Sequence, residues 1–411
     1  FANGKATTAL RDFFVGDDYY TDTDSNAYSL PTFLGNHDMG RVGRFLATAG
    51  AEGEELLERD KLAHSLMYLT RGQPVVYYGD EQGFVGDGGD KDARQDMFAS
   101  EVASYNDDDL IGTNATTAED NYDTGHPLYQ QIAAMADLRE RHPALADGAQ
   151  LHRYASGKPG IYAFSRISPE ENREYVVAVN NATTAKSATF DTLMKQGTFK
   201  QVWPAGKAST KSDREGRLEV TVPPLSAVVL RAAGTVPERE EAPAAYFRTP
   251  SAGSTVGGRQ EVAVSVPEGG FNQVSIGWRT VGADEWTKLG TDDNAPYRVF
   301  HAPGELDALP KGTLVEYRAV LRDSSGNLSV TSTHATVGRP ASGGGGDTGG
   351  GGPVTQPGAV SMPGNHNGEI GCADDWMPAC DQAQLSLDPK DEVWKGTVGI
   401  PAGDYEYKAA I

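Results

Sequence analysis

Asn36-His37-Asp38 closes the apolar run Leu30-Pro31-Thr32-Phe33-Leu34-Gly35, and a second run, Gly72-Gln73-Pro74-Val75-Val76-Tyr77-Tyr78-Gly79-Asp80-Glu81, ends in the same abrupt way. An acid, an imidazole and an amide at the carboxyl end of a strand stand where barrel enzymes place their chemistry. Taken alone, the triplet also fits a plain turn with an Asx cap. Arg41, just beyond, reads as a cation facing a substrate, as one orienting a carboxylate, or as an exposed ion-pair arginine. From Asp80 to Asp123 the chain holds 13 acids against only Lys91 and Arg94. Such a set suits calcium, which prefers several oxygen ligands, but reads first as a solvated active-site loop. Asp22-x-Asp24-x-Asn26 opens like a calcium loop, but Ala27 stands where the turn glycine belongs and Phe33 where the bidentate Glu belongs. The only cysteines, Cys372 and Cys380, have no further Cys or His spaced to complete a metal site, so the pair reads as a disulfide of a secreted protein.

Two helices must position these strand ends. Leu62, Leu66 and Leu69 with Ala63 and Met67 recur at helical spacing between Glu58 and Arg71, with Asp60 in the first turn and Gly72 then Pro74 as the stop. This stripe is expected to cover barrel strands. A second helix starts at Pro127, whose missing N–H is harmless in the first turn, and runs through Leu128, Ile132, Met135 and Leu138 to Pro143. A helical segment from Ala6 to Phe14 precedes both.

The paired strand ends resemble the last two barrel strands of the alpha-amylase family of glycoside hydrolases (family 13), whose motifs read N-H-D and G-x-P-x-x-Y-Y-G-D-E. The resemblance implies a (β/α)8 barrel and cleavage of alpha-glucosidic bonds in starch, glycogen or pullulan by a retaining mechanism. That mechanism needs a carboxylate nucleophile and a carboxylic acid. Asp38 then takes the role of a third carboxylate that binds hydroxyls of the distorted sugar ring and stabilises the transition state. His37 would hydrogen-bond the same sugar, and Asn36, counted with it on the substrate side, would hold the loop. The family's nucleophile Asp and acid Glu sit on earlier barrel strands, and no G-F-R-x-D-like segment occurs in this sequence. Many relatives bind calcium, which stays open here. The segment with Gly371-Cys372, Trp376, Cys380, Val393-Trp394 and Tyr405-Glu406-Tyr407 resembles accessory β-sandwich modules of bacterial pullulanases and amylopullulanases. Trp376 and Trp394 could stack on sugars, though Trp394, inside a strand pattern, reads as core.

The expected organisation is a multidomain chain: residues 1–148 as the C-terminal part of the barrel, 149–233 as an antiparallel β domain, 234–245 as a linker, 246–338 as an immunoglobulin- or fibronectin-like β-sandwich, 339–357 as a Gly-rich linker, and 358–411 as a partial pullulanase-type module. A barrel takes about 250 residues, so about its final quarter is expected here. From 149 on the hydrophobic period changes to two, as in Gly160 to Ile167 and Glu174 to Val179, which marks antiparallel sheet. Phe1 in place of Met and the strand-like end at Ala409-Ala410-Ile411 read as cut ends.

With 411 residues, 49 glycines and 23 prolines, several modules are expected rather than one core. A formal charge of -21 argues against nucleic acid and anionic membranes as partners and is indifferent to a neutral glucan polysaccharide. No apolar run approaches the roughly 20 residues needed to span a bilayer. The expected parent is a secreted, extracellular alpha-glucan hydrolase. The competing reading is a non-catalytic glucan-binding or spacer assembly. Linkage preference and hydrolysis against transglycosylation stay undecided.

Overall fold

The computed structural model describes residues 2–267, 270–302, 304–338, 357–388 and 393–411. The Gly-rich linker expected at 339–357 lies almost wholly outside the described residues.

The first unit holds helix α1 (Thr8–Gly16), strand β1 (Pro31–Phe33), helices α2 (Val42–Thr48) and α3 (Gly53–Leu69), strand β2 (Gln73–Val75), the short helices α4 (Ala103–Asn106) and α6 (Ala144–Asp147), and between these two α5 (Pro127–Arg141). Strands β1 and β2 pair in parallel, Thr32 opposite Pro74, and form an open two-stranded sheet that no other strand joins among the described residues. Both strands keep open faces: Phe33 and Val75 are 43% and 48% exposed. A strand is buried on both faces only when both sheet edges and both layers are supplied.

Helix α3 starts on Glu54 and Glu55, acids that suit a positive helix terminus, and buries Leu62, Ala63, Met67 and Leu69. Pro127 opens α5, and the neighbouring His126 accepts through Nδ1 from the Leu128 amide (3.2 Å) while Nε2 donates to the Ile111 carbonyl (3.0 Å). The stripe of α3, expected to cover barrel strands, is divided: Ala63 packs with Val42, Leu46 and Leu34 at the end of β1. Leu62, Leu69, Met135 and Leu138 instead share one core with Tyr162, Val177 and Val229 of the following β domain. Arg139 fixes α5 to the entry of β2 by donating to the carbonyls of Tyr68 (2.8 Å) and Gly72 (2.7 Å).

The second unit is all β. Its strands are β3 (Ala149–Ala155), β4 (Ile161–Ser168), β5 (Arg173–Asn180), β6 (Lys186–Asp191), β7 (Thr198–Trp203), β8 (Ser209–Lys211), β9 (Arg217–Val222) and β10 (Ser226–Ala232). A six-stranded sheet runs β3-β4-β5-β10-β7-β8, with the hairpin-like pair β6-β9 packed beside it. Strands β4 and β5 are buried over almost their whole length, because α3 and α5 cover one face and the β6-β9 pair covers the other.

The third unit contains β11 (Tyr246–Thr249), β12 (Ser254–Val256), β13 (Glu261–Ser265), β14 (Asn272–Thr280), β15 (Thr287–Asp292), β16 (Tyr297–Phe300), β17 (Leu314–Asp323) and β18 (Leu328–Val337). Sheets β11-β13-β16 and β12-β18-β17-β14-β15 face each other across Val262, Val264, Val274, Ile276, Val299, Tyr317 and Leu321. This is a sandwich, with the alternating burial along β14 that a half-buried strand requires.

The last unit is small. Strands β19 (Ser386–Asp388) and β20 (Val393–Lys395) pair, and Cys372 is disulfide-bonded to Cys380, with Cα atoms 5.8 Å apart. Trp394 is half-buried opposite Leu387, so it is not full core, and Trp376 is largely exposed. Among the described residues no helix is long and apolar enough to cross a membrane.

Candidate active site

At the carboxyl end of β1 the chain folds back on itself. The Asn36 amide donates to the Gly40 carbonyl (3.1 Å) and the Gly40 amide to the Asn36 carbonyl (3.2 Å). Gly40 closes this turn at φ +104, and a Cβ there would lie 2.8 Å from the Gly88 carbonyl, so the position requires glycine twice over. Asn36 Oδ1 accepts from the amides of Asp38 (2.9 Å) and Met39 (2.7 Å). Its side-chain oxygen is thus committed to holding the loop.

What the turn presents outward is His37 and Asp38, their side chains 61% and 46% exposed and 3.5 Å apart from Nε2 to Oδ2. Arg94 Nη2 and Lys408 Nζ lie 3.6 and 3.8 Å from Asp38 Oδ1. Both cations are about half exposed, so neither pairing holds the carboxylate strongly. The loop is buttressed from behind: the Asp90 amide donates to the Asp38 carbonyl (3.0 Å), and a Cβ on Gly89 would come within 2.4 Å of that same oxygen. Gly88, Gly89 and Arg94 are parts of the site that motif reading missed. The spaced glycines of Gly86-Asp87-Gly88-Gly89 were the available signal.

Arg41 behaves differently from two of its expected readings. Its side chain is 0% exposed, so it neither faces a substrate nor forms an exposed ion pair. Nη1 donates to Asp80 Oδ1 (2.9 Å) and to the Tyr78 carbonyl (2.7 Å), and Nε donates to Gln95 Oε1 (2.7 Å). The guanidinium lies 4.5 Å from the Tyr77 ring centroid, with Phe84 and Tyr78 at 5.1 and 5.3 Å. It therefore pins the end of β2 to the end of β1. Burial pushes the Asp80 carboxyl up to about 7, against the pull of Arg41 and His64. His64, on α3, contacts Asp60 Oδ1 at 2.9 Å. Burial works against its charged form, but the bond to Asp60 and the charges of Asp60 and Asp80 prevail and raise its pKa.

Asp87, Asp107 and Asp108 bring one carboxylate oxygen each within 4.8 Å of one another. Burial, then the charge of Asp87, raises Asp108. Such oxygens suit a hard cation, but Arg44 Nη1 already stands 4.0 Å from Asp87 and supplies positive charge.

Residues 7–148 match the alpha-amylase catalytic domain, 154–233 the alpha-amylase C-terminal all-β domain, and 359–411 the pullulanase X25 domain. An alpha-amylase of Streptomyces lividans is 50% identical over 323 residues, covering 78% of this chain and 34% of that protein. A beta/alpha-amylase of Paenibacillus polymyxa is 29% identical over 199 residues, covering 47% of this chain and 14% of that protein. An alpha-amylase of Geobacillus thermoleovorans, solved with acarbose, overlays with a TM-score of 0.39 at 20% identity, covering 50% of this chain and 39% of that one. The chain thus spans about a third of the length of the Streptomyces protein and less of the Paenibacillus one. Carrying a partial catalytic domain, the C-terminal β domain that follows it and a pullulanase X25 domain, this chain belongs to the alpha-amylase family of glycosyl hydrolases.

Proposed function

We propose that the chain is the later part of a secreted enzyme that cleaves alpha-glucosidic bonds of a neutral glucan with retention of configuration. In this reading Asp38 binds sugar hydroxyls and stabilises the oxocarbenium-like transition state, and His37 bonds the same sugar. The observation that carries it is the turn at Asn36–Gly40, which holds a carboxylate and an imidazole side by side and open to solvent at a strand's carboxyl end. A plain Asx-capped turn would account for Asn36 but not for the buttress of Gly88, Gly89 and the Asp90 amide built behind Asp38. The 50% identity to an alpha-amylase supports the substrate class.

In this reading the nucleophile and general acid come from earlier barrel strands, as the family resemblance implies. Loss of a covalent nucleophile costs on the order of 10⁶ in turnover. The chain alone is therefore expected to release no reducing sugar from soluble starch, while a form extended through the earlier barrel strands does. Turnover by the chain alone, or none by the extended form, contradicts the reading. The Cys372–Cys380 bond supports export, because such bonds persist in oxidising compartments.

A further inference from the structure

The segment Asp18–Leu30, which feeds β1 from the end opposite Asp38, is gripped by the sandwich unit. Arg298, on β16, donates to the Val15 carbonyl (2.6 Å) and to Asp18 Oδ2 (3.2 Å). Arg259 donates to Asp22 Oδ2 (2.9 Å) and to the Tyr19 carbonyl, its guanidinium 4.5 Å from the Tyr19 ring centroid. The Phe300 amide donates to the Thr21 carbonyl (2.9 Å), so the segment lies along β16. Tyr28 joins three units at once: its hydroxyl donates to Asp293 Oδ1 (3.0 Å) and accepts from the Gln150 amide of β3 (2.8 Å). The fit is close, since a Cβ on Gly290 would lie 2.9 Å from Thr21 Cγ2 and 3.0 Å from Val299.

Charge in this joint is unbalanced. The segment contributes Asp18 and Asp22; β13 contributes Glu261, 3.6 Å from Arg298; the end of β15 contributes Asp292, and Asp293 follows it. Against these five acids stand Arg298, Arg259 and, from β4, Arg166, with Tyr28 and Tyr297 as the neighbouring phenols. We propose that the sandwich is a proton-gated clamp on the segment leading into β1, tightening as the buried carboxyls of the joint take up protons and loosening as they ionise.

The direction follows from where the excess acids sit. Burial raises Asp18 to about 7 in spite of Arg298, with Asp293 and Glu261 adding to the rise. Burial raises Asp293 to about 6 in spite of Tyr28 and Arg166. Asp292 is raised by burial and by the charge of Asp18, although the amides of Arg298 and Asn294 bond it. Each is more basic docked than free, so docking takes up protons and strengthens as pH falls from about 7 toward 4. Asp22 runs the other way: the bonds from Arg259 and Ser25 overcome its burial and lower it, so its pairing is lost only in stronger acid.

Amide hydrogen exchange on the full chain tests this. After correction for intrinsic rates, protection of the Phe300 amide is expected to fall about tenfold or more between pH 5 and pH 8, while the β14–β17 ladder amides of Ile276 and Ala319 hold theirs. D18N, which keeps an acceptor for Arg298 but cannot titrate, should remove several-fold of that fall. If D18N abolishes the protection at both pH values, D293N, which keeps an acceptor for Tyr28, takes its place. Equal protection of Phe300 at the two pH values, a fall shared by the ladder amides, or a full fall retained in the variant overturns the clamp. None of these readings depends on the role proposed for Asp38, so the two can fail separately.

Discussion

His37 and Asp38 stand exposed together because Asn36 gives up its own oxygen to the turn, bonding two backbone amides that would otherwise face solvent or each other. N36A removes both bonds, and we expect a loss of about 1–2 kcal/mol in the stability of the first unit, read as a lower denaturation midpoint for that unit. An unchanged midpoint would mean the turn is held by Gly40 and the Gly88–Gly89 buttress alone. Arg41 is a second test at this scale. R41M leaves Asp80 buried beside its former partner and should cost about 3–5 kcal/mol, whereas R41M/D80L should recover much of it. A loss in R41M below about 1 kcal/mol would show that Asp80 is already neutral. His37 and Asp38 could be singled out because the second run, ending Tyr77-Tyr78-Gly79-Asp80-Glu81, stands behind the triplet, which taken alone fits a capped turn as well. The burial of Arg41 was not, since its partners come from Tyr78, Asp80 and Gln95, which only the folded loop brings near.

Helix α3 was legible from its leucine spacing, and α5 from Pro127, but not what they cover. Periodicity reports that a stripe is buried and says nothing of the surface that buries it, which here includes Tyr162, Val177 and Val229 of the β domain. For β1 and β2 the apolar residues were equally plain, yet their faces stay open. The ion pair inside α3 sets a pH dependence for this element. His64, raised in the fold, stabilises it fully at a pH below the unfolded imidazole value near 6.5, and the contribution is lost as pH rises through its folded pKa. Asp80, raised to about 7, acts in the same direction, its contribution fading between about 4 and 7. The thermal midpoint of the first unit should therefore be lower at pH 8 than at pH 5.5, and H64Q should flatten the difference; a midpoint that rises with pH contradicts both assignments. In the last unit the disulfide closes a short loop with a sequence separation of 8. Chain entropy allows it about 2.5 kcal/mol. Reductant should lower the melting of that unit and leave the sandwich, which contains no cysteine, unchanged.

Across the whole molecule, residues 7–148 match the alpha-amylase catalytic domain and carry an open two-stranded sheet, and three β units follow it. The order of those units could be read from the shift of hydrophobic period at 149 and from the Pro- and Glu-rich stretch near 234–245, because each change in period marks a change in layer architecture. The joint that ties Asp18–Leu30 to the sandwich could not, since it is made of scattered charges whose meaning depends on the fold. Asp38 is proposed to stabilise a transition state rather than to cap a turn. The most direct test of that role is the turnover of D38N in the form extended through the earlier barrel strands, measured on soluble starch beside the thermal midpoint. The amide keeps the shape of the carboxylate, and the turn is held by Asn36, so the account expects kcat to fall by about 10³ or more with the midpoint almost unmoved. A fall of less than about tenfold, or one that follows a matching loss of stability, would show that Asp38 belongs to the turn and not to the chemistry.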